Sequence, residues 1–250
     1  MQQQLINSVN LEGRNVVIEA LNRGREIFEI YLDKNAKGEK IQDLISQAKK
    51  HGVKLTPVER TALDKMSKTD SHQGVIALAE KLKTYTITEI LKEVENPFIF
   101  IVKEVLYEHN LGAILRSAAA AGADAVVVSG SRNSVLTPVV ERVSMGASNV
   151  VKVCEESITS VLATIKRQGI KIVGVETSGT KYYFEEDLTG PIALVLGGED
   201  SALSLPVIEK CDIVVRVPMN KNIQSLNLSV AAGIVMFEKL SQDFKKSLWK

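Results

Sequence analysis

Cysteine, histidine and aromatic residues are all scarce in this chain. It has two cysteines, three histidines and one tryptophan in 250 residues, and only 5% of it is aromatic. Neither Cys154 nor Cys211 has a second Cys or His at ligand spacing. That argues against a disulfide framework and against a structural zinc, and no metal is expected. Cys154 closes the VVKVC run and Cys211 precedes IVVRV, so both read as small core or strand-end residues. With few rings, the core must be aliphatic and alanine-rich, as where helices cover a parallel sheet. Long apolar runs are missing too. Stretches such as Pro191–Leu196 and Ile213–Val215 are strand-sized, far short of the ~20 residues that span a bilayer. The opening MQQQLINSVN has neither the charged nor the apolar region of a secretory signal, so a cytoplasmic location is expected. Charge of one sign is also absent. Residues 1–95 carry 15 Lys+Arg against 14 Asp+Glu, and residues 96–250 carry 16 against 16. Any nucleic-acid contact must therefore rest on a local patch.

What is present divides at about residue 96. Residues 15–24 suggest a helix capped by Asn15, 27–32 an alternating strand, and 40–51 an amphipathic helix. A short strand at 53–55, a helix at 58–66 and a turn-plus-strand at 71–80 complete a small α/β domain over 1–80. The charged stretch 81–96 reads as a linker ending at Asn96-Pro97. Beyond it the texture changes. Continuous apolar strands are expected at 98–102, 125–129, 150–153, 171–176, 192–197 and 212–217. They alternate with helices at 111–121, 137–145, 158–168 and 225–240. Such alternation, with strands buried on both faces, means a mainly parallel sheet over 97–250. Ligands bind beyond the carboxyl ends of such strands.

Three strand-end loops carry candidate chemistry. After FIFIV comes YEHNLGAILRS (107–117), where Asn110 can cap a helix and Arg116 adds a guanidinium, a combination that favours an anion. After IALVLG comes LGGEDSAL (196–203), whose two glycines let backbone approach a flat ligand, with Glu199 at the rim. After DIVVRV comes VPMNKNIQSLNLS (217–229), where Ser225 can cap the last helix and Asn227 adds a polar group beyond capping needs. Each loop alone also suits an ordinary cap or turn. Three at the strand ends of one sheet point to a pocket.

These segments resemble the SpoU family of SPOUT-class RNA methyltransferases, the ribose 2′-O-methylating branch. HNLGAILRSAAAAG (109–122), LVLGGED (194–200) and VPMNKNIQSLNLSVAAGI (217–234) are similar, in order and spacing, to the family's three motifs. GRNVVIEAL (13–21) and HQGVIAL (72–78) resemble the small RNA-binding domain ahead of many members. The nearest resemblance is to enzymes that methylate a guanosine ribose of large-subunit ribosomal RNA. The resemblance implies an α/β fold with a C-terminal trefoil knot, a homodimer, and S-adenosylmethionine as cofactor. It implies a cofactor pocket of Val175, Thr177, Gly197, Gly198, Glu199, Val217, Pro218, Met219, Leu226 and Asn227. It assigns chemistry to Asn110, Arg116, Glu199, Ser225 and Asn227, and RNA contact to Arg14, Asn15, His72, Gln73, Arg116 and Lys221.

The chain departs from the family in three places. Tyr107-Glu108 stand where Asp-Pro is usual, and Ala202 and Lys221 replace glycines. The last two alter pocket shape, and Lys221 can add a phosphate contact. Two alternatives follow: transfer RNA as substrate, or an RNA-binding homologue without turnover. A dinucleotide oxidoreductase is disfavoured, because no G-x-G-x-x-G follows the first strand and no P-loop occurs.

Overall fold

A computed structural model describes residues 8–69, 71–130 and 135–248. The chain forms two compact units, one of 1–83 with 136–150 and the other of 84–135 with 151–250. In the first, strands β1 (Ser8–Glu12), β2 (Ile27–Asp33), β3 (Leu55–Val58) and β4 (Val75–Glu80) form a sheet in the order β1-β4-β2-β3. Only the β2–β3 pair is parallel. Helices α1 (Arg14–Asn22), α2 (Glu39–Lys50) and α3 (Arg60–Met66) accompany it. Leu11, Val17, Ile30 and Leu44 are fully buried in its core. Strand β1 is not expected from sequence, because Val9 and Leu11 alone make too short an alternation to stand out. Asn15 does not cap α1. Gly13 occupies that position, and Asn15 Oδ1 accepts instead from Lys40 Nζ at 2.9 Å.

The second unit begins earlier than its composition suggests. Within the stretch read as a linker, helix α4 (Ile87–Glu93) starts with a capping box of Thr86 and Glu89. It buries Ile87 and Ile90 among Val161, Leu162 and Ile165. The remaining elements are β5 (Phe98–Val102), α5 (Glu108–Ala120), β6 (Ala125–Val128), α6 (Pro138–Val143), β7 (Lys152–Glu155), α7 (Ile158–Arg167), β8 (Lys171–Val175), β9 (Lys181–Tyr182), β10 (Ile192–Leu196), α8 (Leu205–Ile208), β11 (Ile213–Arg216) and α9 (Leu228–Leu248). Of these, α6 belongs to the first unit.

Every strand pair of the seven-stranded sheet is parallel, in the order β7-β6-β5-β10-β8-β11-β9. All five residues of β5 and all five of β10 are buried, as their unbroken apolar runs require. From β5 the chain runs outward through β6 and β7. It then returns to fill the other side with β8, β10 and β11. The reversal makes a switch point between β5 and β10, where a crevice opens beyond the carboxyl ends. Helix α9 packs on α5 and brings its N-terminus to that end.

Candidate functional site

A cavity of about 350 Å³ lies beyond the carboxyl ends of β8, β10 and β11, within the range of small-molecule sites. The loops after β8, β10 and β11 line it. Crowding explains the two glycines of the β10 loop. Gly198 N donates to Ser201 O at 2.8 Å, folding the loop on itself. A Cβ at Gly197 would lie 2.8 Å from Ser201 O, and one at Gly198 would lie 3.0 Å from Glu104 Cβ and its carbonyl oxygen. The backbone these glycines admit is thus the protein's own. Lys103 ties the β5 end to the same loop, its Nζ lying 3.3 Å from Ser201 Oγ.

Three polar side chains from three segments converge beside the cavity. Asn110 Nδ2 donates to Glu199 Oε1 at 2.6 Å, and Asn227 Nδ2 donates to Asn110 Oδ1 at 3.1 Å. Asn110 is therefore not the cap expected of it. Helix α5 starts at Glu108, and Asn110 sits in its first turn and reaches across to the other loops. Nor does Ser225 cap α9. Asn227 Oδ1 does so, accepting from Ser229 N at 2.9 Å and Val230 N at 3.3 Å. Ser225 is left to line the cavity. Glu199 Oε2 is buried and has no partner among the described residues. A shielded carboxylate oxygen without a donor is costly, so it favours a ligand that brings a donor or positive charge.

Of the residues expected around the cofactor, Val175, Thr177, Gly197, Gly198 and Glu199 line the cavity, as do Val217, Met219 and Leu226. Pro218 and Asn227 do not. Arg116 and Lys221 are exposed and also lie outside the lining. Sequence reasoning put the segment 175–178 at the pocket but gave Glu176 no role of its own. Its Oε2 accepts from Leu203 N at 2.9 Å and its Oε1 from Thr177 N at 3.0 Å, so one carboxylate bridges the β8 and β10 loops. The available signal was an acidic residue directly after a buried strand. Gly179 was missed. A Cβ there would lie 2.4 Å from the carbonyl carbon of Val215, so the loop after β8 can press on β11 only with glycine. Burial pushes the Cys211 thiol up to about 11 and raises that of Cys154 as well, so neither is a ready nucleophile.

The residues expected to contact RNA from the first unit cluster at one turn. Arg14 Nε donates to Gln73 O at 3.1 Å. His72 is 4% exposed, and both its nitrogens are used within the unit. Gly74 N donates to Nδ1 at 3.0 Å, which leaves Nε2 to donate to Asp64 Oδ1 at 2.9 Å. His72 thus holds the turn, and Gln73 is the exposed member.

Comparison with known proteins agrees with this geometry. Residues 97–237 match the model of the SpoU rRNA Methylase family, and residues 11–85 match that of RNA 2′-O ribose methyltransferase substrate binding. The 23S rRNA (guanosine-2′-O-)-methyltransferase RlmB of Ralstonia nicotianae is 35% identical over 221 residues, 87% of this chain and 89% of its own. RlmB of Haemophilus influenzae is 33% identical over 243 residues, 94% of this chain and 98% of its own. Among solved structures, an RNA 2′-O ribose methyltransferase superposes with a TM-score of 0.83 at 29% identity, covering 95% of this chain and 90% of that one. The SpoU methyltransferase AviRb from Streptomyces viridochromogenes, in complex with AdoMet, shares the fold with a TM-score of 0.81 at 22% identity, covering 98% of this chain and 94% of that one. The parallel sheet with its strand-end motifs and the match over most of the chain lead to one conclusion: this chain belongs to the SpoU rRNA methylase family.

Proposed function

We propose that this chain transfers a methyl group from S-adenosylmethionine to a ribose 2′-hydroxyl of structured RNA, the target being a guanosine of large-subunit ribosomal RNA. The hydrogen-bonded chain from Glu199 through Asn110 to Asn227, beside a cavity of fitting size, carries this reading. The relatives named for 23S rRNA guanosine methylation support the substrate. The cavity's residues fit the cofactor. Val175, Met219 and Leu226 offer apolar surface to a purine, and the unpaired Glu199 oxygen offers an acceptor. Gly197, Gly198 and Glu199 would hold it from the β10 loop, and Val175 and Thr177 from the β8 end. Val217, Met219 and Leu226 would hold it from the β11 loop. Bound there, S-adenosylmethionine supplies an already activated methyl group.

The protein's own task is then alignment and charge stabilisation. Ser225 and Asn227 orient the ribose or the methionine end of the cofactor. Asn110 fixes the Glu199 carboxylate. Arg116 serves as a positive charge for the developing alkoxide and a neighbouring phosphate rather than as a base. Proton loss falls late, to solvent. Arg14, Asn15 and Gln73 contact RNA at the turn that His72 holds, and Lys221 contacts it from the loop after β11. In this reading residues 1–80 bind RNA and 97–250 form the SPOUT methyltransferase domain. A trefoil knot around β10 and β11 goes with the interleaved strand order. A homodimer goes with a stripe on α9, where Val230, Phe237 and Phe244 recur every seven residues at 50%, 46% and 60% exposure. A cytoplasmic location fits an RNA-modifying enzyme, and no helix among the described residues is long and apolar enough to cross a membrane.

The deciding experiment is radiolabelled methyl transfer from S-adenosylmethionine to RNA from a strain lacking the gene, with mapping of the modified ribose. A single 2′-O-methylated guanosine in large-subunit RNA is expected. RNA binding without label would replace the enzyme with an inactive binding homologue. Glu176 gives a second test. Glu176→Ala removes the three hydrogen bonds that its carboxylate accepts from Thr177 and Leu203 beside the cavity, so S-adenosylmethionine should bind about tenfold more weakly by calorimetry. An unchanged Kd would show that the loops hold their shape without it.

A further inference from the structure

The first unit has a cavity of its own, of about 240 Å³, with Gly13, Asn15, Gln73, Arg142 and Met145 in its lining. It is smaller than the clefts that hold drug-sized ligands and suits one planar group. Arg142 is one of the lining residues, and its Nε is buried with no hydrogen-bond partner among the described residues. A shielded guanidinium N–H without an acceptor is an exception that needs a reason. The acidic residue of the lining, Glu12, does not supply one. Its carboxylate already accepts from Ser67 Oγ at 2.6 Å, Lys68 N at 2.7 Å and Thr69 Oγ1 at 2.5 Å. Among the described residues, two non-glycine residues have left-handed backbone, Gln73 at φ 52° and Met145 at φ 53°, and both line this cavity. Such strain gathers at binding sites.

We infer that this cavity receives one unpaired guanine base of the RNA, read by Arg142. The inference rests on the reading of the protein as an RNA-binding enzyme. Protein contacts to RNA sequence fall mainly on splayed-out bases. Val16, Val143 and Met145 offer apolar surface to the flat face of a ring, which a phosphate would not use. Guanine presents two adjacent acceptors, O6 and N7, which match the paired donors of a guanidinium. The Gln73 carboxamide stands ready for a further edge of the base.

The test uses the full chain and a short fluorescent oligouridine RNA with one central guanosine. The comparison probes carry uridine or 7-deazaguanosine at that position. The wild type should prefer guanosine about tenfold over either probe. Arg142→Lys keeps the charge and loses the fork. It should erase the preference while leaving affinity for the all-uridine RNA unchanged. Equal affinity of the wild type for all probes, or no binding of any, overturns the inference. So does a preference that survives Arg142→Lys. Equal weakening on every probe would mean a phosphate contact and overturns it too. Methyl transfer measured on the same preparations separates the two readings. Transfer without guanosine preference sinks this site alone. Preference without transfer sinks the reaction and leaves this site standing.

Discussion

Arg116→Ala is expected to lower methyl transfer by about 10²–10³-fold, the usual cost of removing one preorganised charge-stabilising donor. Binding of S-adenosylmethionine should stay within about twofold, because only an interaction made in the transition state is lost. The position of the side chain makes the two effects separable. Arg116 lies on α5, exposed, and outside the lining of the cavity proposed for the cofactor. Neither that lining nor the Glu199–Asn110–Asn227 chain includes it. Single-turnover rates with saturating RNA, alongside calorimetry with the cofactor alone, check both halves. Arg116→Lys keeps the charge but not the planar fork, so it should fall between wild type and alanine. Parallel loss of cofactor binding and turnover in Arg116→Ala would place Arg116 in the cofactor pocket instead and remove its proposed role at the 2′-oxygen.

The parallel sheet was legible because its strands are unbroken apolar runs, such as Phe98–Val102 and Ile192–Leu196, and nothing else in the chain looks like them. The loops that form the cavity were legible for the same reason, since each follows such a run. Short elements were not. Strand β9 has two residues and α8 four, too few for any periodicity to register. Helix α4 was hidden by its charge, although Thr86 and Glu89 spell out a capping box. The polar residues were found, but their local roles were assigned by neighbours in sequence. Asn110, Asn15 and Ser225 looked like caps because each precedes an apolar helix. The structure gives capping of α9 to Asn227 and sends Asn110 across to Glu199. Glu176 was passed over because its partner, Leu203 N, is 27 residues away and belongs to the backbone. The membership of 136–150 in the first unit had no sequence signal at all. It comes from contacts between segments far apart in sequence, the packing of α6 on β1 and the pairing of Arg25 with Glu141, 116 residues away.

That pair should produce a large stability effect. The Arg25 side chain is 6% exposed and that of Glu141 1%, and they form an ion pair that joins 136–150 to the rest of the first unit. Arg25 is also held by Glu80 O, which accepts from Nε at 2.8 Å and Nη2 at 2.6 Å. Burial pushes the Glu141 carboxyl above the ordinary carboxylate range, and Arg25 offsets only part of that push. Removing Arg25 alone leaves a buried carboxylate without its cation. Arg25→Ala should therefore cost about 3–5 kcal/mol in urea denaturation followed by circular dichroism. The sign with pH follows from the raised folded-state pKa. A carboxyl that is easier to protonate when folded contributes its full stability below the unfolded pKa. It loses that contribution as pH rises through the folded value. In Arg25→Ala the folded value rises further, so the deficit against wild type should shrink as pH falls from about 8 to about 5. Adding Glu141→Gln removes the titrating group, and the double variant's stability relative to wild type should lose most of that pH dependence. It should also recover part of the lost stability, because the unpaired charge is gone. A deficit that stays constant across this pH range would mean that water reaches Glu141 once Arg25 is removed, and that the pair contributes packing rather than charge neutralisation.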